Sequence, residues 1–440
     1  MKIHEKDIRI PALCASDDPL AAATDSVADA LGPNCIANRF VVTKSDPDFC
    51  HCEVGLIEDA SDAQREKLGS IFDFRQRGPE NRSSFNAAFL VPTGIGSTIG
   101  GHAGDATPAA RVIATLCDRV LLHPNVVNAS DLNEMPENAL YVEGSVLSRL
   151  FMGTIGLQPV RANRVLTVMD NHPEPQLRDS TINTVNAARA VFGLTTGPTV
   201  LLDPPVRLSA TYTASGRASG MVEGVDHLCR LLEERAGTYD AVAFATMIDL
   251  PVQYHTEYFE SDGEMINPWG GVEAIFTHAV SSLFDVPTAH APIDESLEIA
   301  RMSVGQVDPR MAAEAISLTY FQCVLKGLRQ SPRIVHPTAQ GWPKDAITAE
   351  DISCLVIPDK CIGLPTLAAL KQGITVIAVR ENENILENDL THMPWAPGQF
   401  FQVDNYWEAA GVIAALRQGL DPYSARRPFA KAALEVYGQK

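Results

Sequence analysis

Short apolar runs alternate with segments of helical periodicity along most of this chain, and this alternation constrains the fold more than any other feature. The runs VLTVM (165–169) and TVIAV (375–379) are short and continuously apolar, as parallel strands covered on both faces must be. Strands that alternate with helices are typical of βα units. We therefore expect an α/β fold of mostly parallel sheets flanked by helices, in two lobes with a cleft between them.

The same patterns locate the individual elements. Strands are expected at residues 87–92, 119–122, 165–169, 199–202, 241–247, 353–357 and 374–379. Helices are expected at residues 107–117, 180–193, 223–235, 271–284, 309–329, 365–372 and 405–417. The more polar N-terminal region predicts a helix near residues 18–31 and a strand at HCEVGLIE (51–58).

Composition shifts divide the chain into three predicted parts. A polar stretch at residues 74–86 has the character of a linker or surface loop. We expect an N-terminal α/β segment (1–80), a central α/β domain with a glycine-rich loop (81–300) and a C-terminal α/β segment packed on it (301–440).

Charge and cysteine content restrict the partners and the compartment. The chain has 440 residues and a formal net charge of -19 at pH 7, and a field of that sign repels nucleic acid and anionic membrane. The N-terminal residues lack the apolar core of a secretory signal, so the nine cysteines are expected to be reduced thiols. We expect a cytoplasmic homo-oligomer, such as a homodimer, that binds neither nucleic acid nor membrane.

A glycine-rich stretch, TGIGSTIGGHA (93–103), follows the first strand of the central part. A dinucleotide fingerprint requires GxGxxG and an acid after the next strand, but here the third glycine is one residue late and His123 follows the strand. The phosphate loop of NTPases requires lysine where this sequence has His102. What remains is a loop whose backbone amides can bind an anion beside a helix N-terminus.

Hydroxyl and amide donors make this loop the predicted substrate-binding segment. Its candidate residues are Thr93, Gly94, Gly96, Ser97, Thr98, Gly100 and Gly101. Asn125 after the next strand, and Arg207 and Arg217 in a Gly/Ser-rich stretch, are the other candidates, since guanidinium groups suit carboxylate or phosphate. The alternatives are glycines that serve a tight crossover alone, and arginines that only solvate the surface.

Polar residues after the predicted strands supply the candidate catalytic groups. His123 ends one strand and His290 occupies an analogous place in TAHAPID (288–294), and loops at strand ends concentrate catalytic residues. We expect His123 and His290 to transfer protons, with Glu273 or Asp294 orienting them. A simple polar turn is the alternative for the segment after His123.

One cysteine and one His/Glu pair extend the candidate chemistry. Cys361 follows Lys360 just before a predicted helix, where the pKa of a thiol should be lowered, although a loop cysteine without chemistry is the alternative. His255 and Glu257 would face one way on a strand, which makes them candidates for a divalent metal site. No motif fixes that site, and we expect no other cofactor.

Four long phrases of the chain resemble one protein family. They are VPTGIGSTIGGHAGDATPAARVIA, HPNVVNASDLNEMPENALYVEGS, WGGVEAIFTHAVSSLFDVPTAHAP and DPRMAAEAIS. The family comprises bacterial, cyanobacterial and plastid proteins and is catalogued only as a domain of unknown function. The resemblance covers most of the chain from about residue 85 to residue 390. It implies a stand-alone soluble protein and assigns neither a reaction nor a catalytic residue.

These observations predict a cytosolic metabolic enzyme. It would be a hydrolase or lyase without a redox cofactor, acting on a small polar, carboxylate-bearing molecule held at the glycine-rich loop. One alternative is an isomerase or racemase in which Cys361 is one of two bases. The other is a module that binds a nucleotide or metabolite without catalysis.

Overall fold

The structure is a computed structural model of the chain, and it describes residues 1–32, 35–127, 135–317, 320–429, 431–435 and 437–438. Its strands are β1 (Lys2–Pro11), β2 (Cys35–Ser45), β3 (Phe49–Glu58), β4 (Asn86–Phe89), β5 (Arg119–Leu122), β6 (Ala139–Tyr141), β7 (Gly156–Gln158), β8 (Arg164–Asp170), β9 (Thr195–Thr196), β10 (Val200–Leu202), β11 (Arg207–Tyr212), β12 (Ala218–Glu223), β13 (Ala241–Asp249), β14 (Thr288–Ile293), β15 (Arg333–Val335), β16 (Cys354–Pro358), β17 (Ile362–Gly363), β18 (Thr375–Val379) and β19 (Phe400–Val403).

Helices alternate with many of these strands. They are α1 (Pro19–Ala30), α2 (Asp62–Leu68), α3 (Thr107–Ala114), α4 (Pro124–Val127), α5 (Gly144–Phe151), α6 (Pro175–Phe192), α7 (Val225–Glu234), α8 (Gln253–Glu260), α9 (Gly270–Phe284), α10 (Leu297–Ala300), α11 (Ala312–Ile316), α12 (Tyr320–Gln330), α13 (Leu364–Gln372) and α14 (Tyr406–Arg417). The α/β class is thereby confirmed.

The strands form two large sheets. One has six strands, all parallel, in the order β19-β18-β16-β4-β5-β6. The other has eleven strands and runs β10-β8-β13-β11-β12-β1-β3-β2-β17, with β14 beside β13 and β9 beside β8. A short third sheet pairs β15 with β7.

The larger sheet is mixed, so the expectation of mostly parallel sheets holds only in part. Strands β8, β10, β13 and β14 are parallel, whereas β1 pairs antiparallel with β3 and with β12. The sequence patterns missed β1, β2, β11 and β12 because these strands are not continuously apolar. β1, for example, mixes buried and exposed positions along its length.

The predicted long helix at residues 309–329 is not continuous. The structure has α11 and α12 instead, and Ser317 after α11 has an extended backbone with ψ of 130°. Residues 318 and 319 lie outside the described part of the chain. This break matters because α11 carries a buried glutamate, Glu314, toward the glycine-rich loop.

Strand pairing crosses both predicted domain boundaries. β1 pairs with β12, β17 pairs with β2 and β16 pairs with β4. The buried side chains form three apolar clusters that also draw on distant parts of the sequence. The division into three parts stays a prediction about which segments fold as units.

Candidate functional site

A cavity of about 560 Å³ lies where the carboxyl ends of β4, β5 and β6 approach β14 and α9. Because neighbouring parallel strands end at the same edge of a sheet, the segments that follow them converge. The glycine-rich loop follows β4, His123 follows β5 and Glu143 follows β6, and all three line the cavity. The expectation that strand ends bring polar groups together therefore agrees with this geometry.

Helix α9 brings a histidine to one of these strand ends. Nδ1 of His278 lies 2.5 Å from Oε1 of Glu143. The other carboxylate oxygen, Oε2, accepts the backbone N–H groups of Ser145 and Val146 at 2.9 and 3.3 Å, which caps α5. Burial opposes ionisation of Glu143, but His278 and the hydroxyl of Ser145 lower its pKa to about 2. Glu143 is therefore a carboxylate at neutral pH that orients His278.

His123 is held in a defined neutral form. The backbone N–H of Asn125 donates to Nδ1 of His123 at 3.2 Å, which assigns the ring proton to Nε2. Burial lowers the pKa of His123 to about 3, so the ring is uncharged at neutral pH. Its Nε2–H is consequently a hydrogen-bond donor.

The two imidazoles meet above Gly144, the first residue of α5. A Cβ atom placed on Gly144 would lie 2.9 Å from Nε2 of His123, 2.8 Å from Cε1 of His278 and 3.2 Å from Nε2 of His278. Both Nε2 atoms therefore face the same point, and a side chain at position 144 would collide with both rings. The structure thus places a carboxylate-oriented histidine and a neutral histidine side by side in the cavity wall.

His290 lies in the same wall but has both ring nitrogens engaged. Its Nδ1 is 3.0 Å from Oε2 of Glu273, and its Nε2 is 2.8 Å from Oγ1 of Thr246. Of the two predicted orienting residues, Glu273 is the one that contacts His290. The backbone oxygen of Asp294 instead lies 3.1 Å from Nε2 of His172. The histidine that lies next to His123 is His278, not His290.

The second half of the glycine-rich loop is bound by the protein's own carboxyl groups. The N–H groups of Gly100 and His102 donate to Oδ1 of Asp105 at 2.9 and 3.3 Å. The N–H of Ala103 donates to Oε1 of Glu314 at 2.6 Å. Burial raises the pKa of Asp105 and of Glu314 to about 7. These amides are therefore engaged, and an external anion would have to displace a carboxyl group to reach them.

Tyr258 links this part of the loop to a further buried histidine. Its Oη donates to Oε2 of Glu314 at 2.6 Å and lies 2.7 Å from Nδ1 of His102. Burial lowers the pKa of His102 to about 4. His102 is therefore a neutral structural partner in the cavity wall, which is a different role from that of a phosphate-loop lysine.

The first half of the loop serves both packing and the cavity. Gly94 has a φ of +81° and its carbonyl accepts the N–H of Ala218 at 2.9 Å, so a Cβ atom would meet the Ala218 oxygen at 2.5 Å. Five of the other predicted loop residues also line the cavity: Thr93, Gly96, Ser97, Gly100 and Gly101. Thr98 does not, because its N–H and hydroxyl donate to the Glu383 carbonyl. Asn125 does line the cavity.

The two predicted arginine clamps lie elsewhere. Arg217 is fully buried, with its Nε 2.6 Å from Glu53 and a second ion pair to Glu5. A guanidinium buried in this way already has its counterions, so its position contradicts both the predicted substrate clamp at Arg217 and the alternative of a solvated surface residue. Arg207 is an exposed residue at the start of β11, outside the cavity lining.

The environment of Cys361 is the opposite of the one expected for a nucleophile. The residue is 3% exposed and burial raises the pKa of its thiol, with Asp359 adding to this effect and Lys360 opposing it weakly. Cys361 lines a smaller cavity of about 80 Å³ and not the larger one. The predicted thiolate character is wrong because burial outweighs the neighbouring lysine.

The predicted metal ligands do not share a face. His255 and Glu257 lie on helix α8 and not on a strand. His255 is buried and lies 3.7 Å from Glu295, whereas Glu257 is exposed. Residues two apart on a helix point in different directions, so this pair does not form a site. Across the described residues, no group of three His, Cys, Asp or Glu side chains has a metal-binding arrangement.

Sequence reasoning assigned no role to Glu143 or His278. Two signals were present. His278 interrupts a helix in which twelve of fifteen residues are buried, and a buried histidine requires a polar partner. Glu143 follows β6 and comes directly before a glycine at a helix start. Neither signal says that these two residues are in contact.

Comparison with known sequences shows the family. Residues 86–426 match the family described as protein of unknown function (DUF3326). The chain belongs to this family. This DUF3326 protein is also 34% identical over 342 residues to a protein of Synechococcus sp. that is named an uncharacterized lipoprotein. The matched residues cover 77% of this chain and 92% of that protein.

Solved structures offer no comparison, since none matches this DUF3326 protein. No helix in the described part of the chain combines the length and apolar character required to cross a membrane. The proposed function is therefore inferred from the residues of the cavity.

Proposed function

We propose that this protein is an acid–base enzyme, a hydrolase or lyase, whose active site is the 560 Å³ cavity. The observation that carries the proposal is the approach of His123 and His278 to one point above Gly144, with Glu143 behind His278. A base oriented by a carboxylate, next to a hydrogen-bond donor, is the arrangement that proton-transfer catalysis requires.

The two histidines would have different roles. Because Nδ1 of His278 faces the Glu143 carboxylate, its Nε2 is free to accept a proton from water or from a C–H bond of the substrate. Nε2–H of His123 would donate to the oxygen on which negative charge develops. Glu143 acts through His278 and is a positioning residue. Proton removal from water leads to hydrolysis, and proton removal from carbon leads to elimination.

The substrate would be a small polar molecule with a carboxylate. The cavity volume suits a metabolite and not a polymer, and the first half of the glycine-rich loop, Thr93–Ser97, borders it. We further propose that the two parallel strand systems, one around β4 to β6 and one around β8 to β14, act as two lobes on either side of the cavity. A cysteine-based isomerase has less support, since Cys361 lies outside this cavity.

Substitution of His278 tests the proposal once a thermal-shift screen of metabolites has identified a turned-over compound. We expect His278→Asn to lower kcat by about 10² to 10⁴-fold, as loss of a general base does. His392→Asn is the matched control, because His392 is 74% exposed near Asp389. We expect this control to retain wild-type kcat.

Glu143→Gln separates the positioning role from the base itself. We expect a fall in kcat of about tenfold or more with little change in KM, because the amide no longer stabilises the protonated His278. Wild-type kcat in both His278→Asn and Glu143→Gln would remove the proposal. A compound that binds in the cavity but is never turned over would favour the non-enzymatic alternative.

We also propose that the protein is located in the cytoplasm. All nine cysteines lie in the described part of the chain and none forms a disulfide there, which suits a reducing cytosol. The relative named a lipoprotein makes membrane attachment the competing outcome. Fractionation of cells that express the native gene decides between them, since an attached protein would require detergent for release.

A further inference from the structure

Arg301 is a cation of the cavity wall with no partner among the described residues. It follows α10, on the segment that joins β14 to α11, and lines the cavity as an exposed residue. Of the described residues that line this cavity, it is the only lysine or arginine. Its guanidinium makes no ion pair or hydrogen bond with any residue of the described ranges.

Three other arginines of the chain are already bound by the protein's own groups. Arg39 donates to the Thr93 carbonyl at 2.9 Å and lies 3.5 Å from Glu5. Arg310 is 2.9 Å from Asp308, and Arg217 is enclosed by its two glutamates. Arg301 is therefore the guanidinium that remains available to a bound molecule.

Apart from five histidines and two tyrosines, the other ionisable side chains in the described part of the wall are acidic. Its carboxyl side chains are Glu143, Glu273, Asp294, Glu295 and Glu314. Glu143 is matched by His278 and Glu273 by His290, and these carboxyl groups can accept hydrogen bonds from a ligand. A second acidic group on the ligand would meet these carboxyl groups and be repelled.

We propose that Arg301 binds the single acidic group of a small monoacid whose other polar groups are hydrogen-bond donors, either amino or hydroxyl. The planar guanidinium would hold a carboxylate through two parallel N–H bonds. The acidic wall would accept the donors at the other end of the molecule. This inference rests on the proposed function, because it takes the cavity as the active site, and it narrows the substrate from any carboxylate to a monoacid.

Three four-carbon probes of similar length test the proposal by NMR titration or calorimetry. They are γ-aminobutyrate, 4-hydroxybutyrate and succinate. We expect at least one monoacid to bind the wild-type protein about tenfold or more tightly than succinate. Arg301→Gln should weaken that binding by about 10- to 100-fold, the loss associated with a charge-assisted pair, and Arg301→Lys should weaken it less.

Arg207→Gln is the matched control, since Arg207 is exposed but lies outside the cavity lining. It should leave the binding of the monoacid unchanged. Tighter binding of succinate than of both monoacids, unchanged binding in Arg301→Gln, or no binding of either monoacid at millimolar concentration would each overturn the proposal.

The His278→Asn variant keeps this test distinct from that of the proposed function. That variant should lose turnover yet bind the monoacid as the wild type does, because His278 handles a proton and not the acidic group. If Arg301→Gln has no effect while His278→Asn abolishes turnover, the monoacid proposal fails alone. If His278→Asn retains turnover while Arg301→Gln weakens binding, the catalytic assignment fails and the binding site stands.

Discussion

Gly144→Ala adds one methyl group at the point where His123 and His278 meet. The new Cβ atom would lie 2.8 Å from Cε1 of His278 and 2.9 Å from Nε2 of His123, against ordinary contacts of 3.4–4 Å. The rings must therefore move apart by at least half an ångström. His278 is held by Glu143 and His123 by the Asn125 amide, so this movement strains both contacts.

The effect on activity should exceed the effect on stability. Overpacking costs about 1–3 kcal/mol, while replacement of a helical glycine by alanine returns up to about 1 kcal/mol. The net free energy of unfolding should therefore fall by about 3 kcal/mol at most. If the two histidines have the proposed catalytic roles, their displacement should lower kcat/KM by about 10- to 100-fold.

Urea unfolding, kinetics and NMR of the histidine Cε1–Hε1 groups measure these effects together. The matched control is Gly411→Ala in the middle of α14, where a Cβ atom meets nothing within 4 Å. We expect this control to gain up to about 1 kcal/mol with unchanged ring signals and kinetics. If Gly144→Ala has wild-type ring signals and wild-type kcat/KM, the proposal that the active centre lies where the two imidazoles meet is refuted.

Three further predictions concern buried groups. Burial raises the pKa of Glu314 from 4.5 to about 7, so its ionisation destabilises the folded protein as the pH rises through that interval. The free energy of unfolding of Glu314→Gln should therefore exceed that of the wild type by up to about 3 kcal/mol at pH 8 and by little at pH 4.5. Urea unfolding at both pH values measures this difference. Arg217→Met leaves buried carboxylates unpaired and should lower the free energy of unfolding by about 3–5 kcal/mol without changing ligand affinity in the folded protein. A loss of affinity measured by calorimetry would instead support Arg217 as a substrate clamp. Iodoacetamide at neutral pH should modify the exposed Cys14 and spare Cys361, whose thiol pKa is raised by burial, and mass spectrometry that finds Cys361 modified first would contradict this.

Sequence patterns predicted many of the strands but missed β6, β14 and α5, which also border the cavity. Strands β4, β5, β8, β13, β16 and β18 all occur where short apolar runs predicted them. Strands buried on both faces require such runs whatever they pair with. The glycine-rich loop and His123 were located for the same reason, since they directly follow these strands in the chain.

Other features required information that no local pattern contains. β1 and β12 are distant in sequence and pair antiparallel, and their polar positions hide them from a search for apolar runs. The burial and ion pairing of Arg217 depend on this strand pairing, because its partners Glu5 and Glu53 come from the N-terminal strands. A charged residue in a Gly/Ser-rich stretch has the local pattern of solvated surface until its partners are known.

The sequence by itself determined the α/β class, the strand ends and the residue types available at them, because periodicity and chain continuity are local properties. Only the tertiary structure decided which of these residues act together. His278 reaches Glu143 because α9 packs against α5, and Gly144 allows both imidazoles to approach. Burial then set the charge states, leaving His123 neutral and Cys361 protonated, because desolvation depends on the atoms that surround a group and not on its neighbours in the chain.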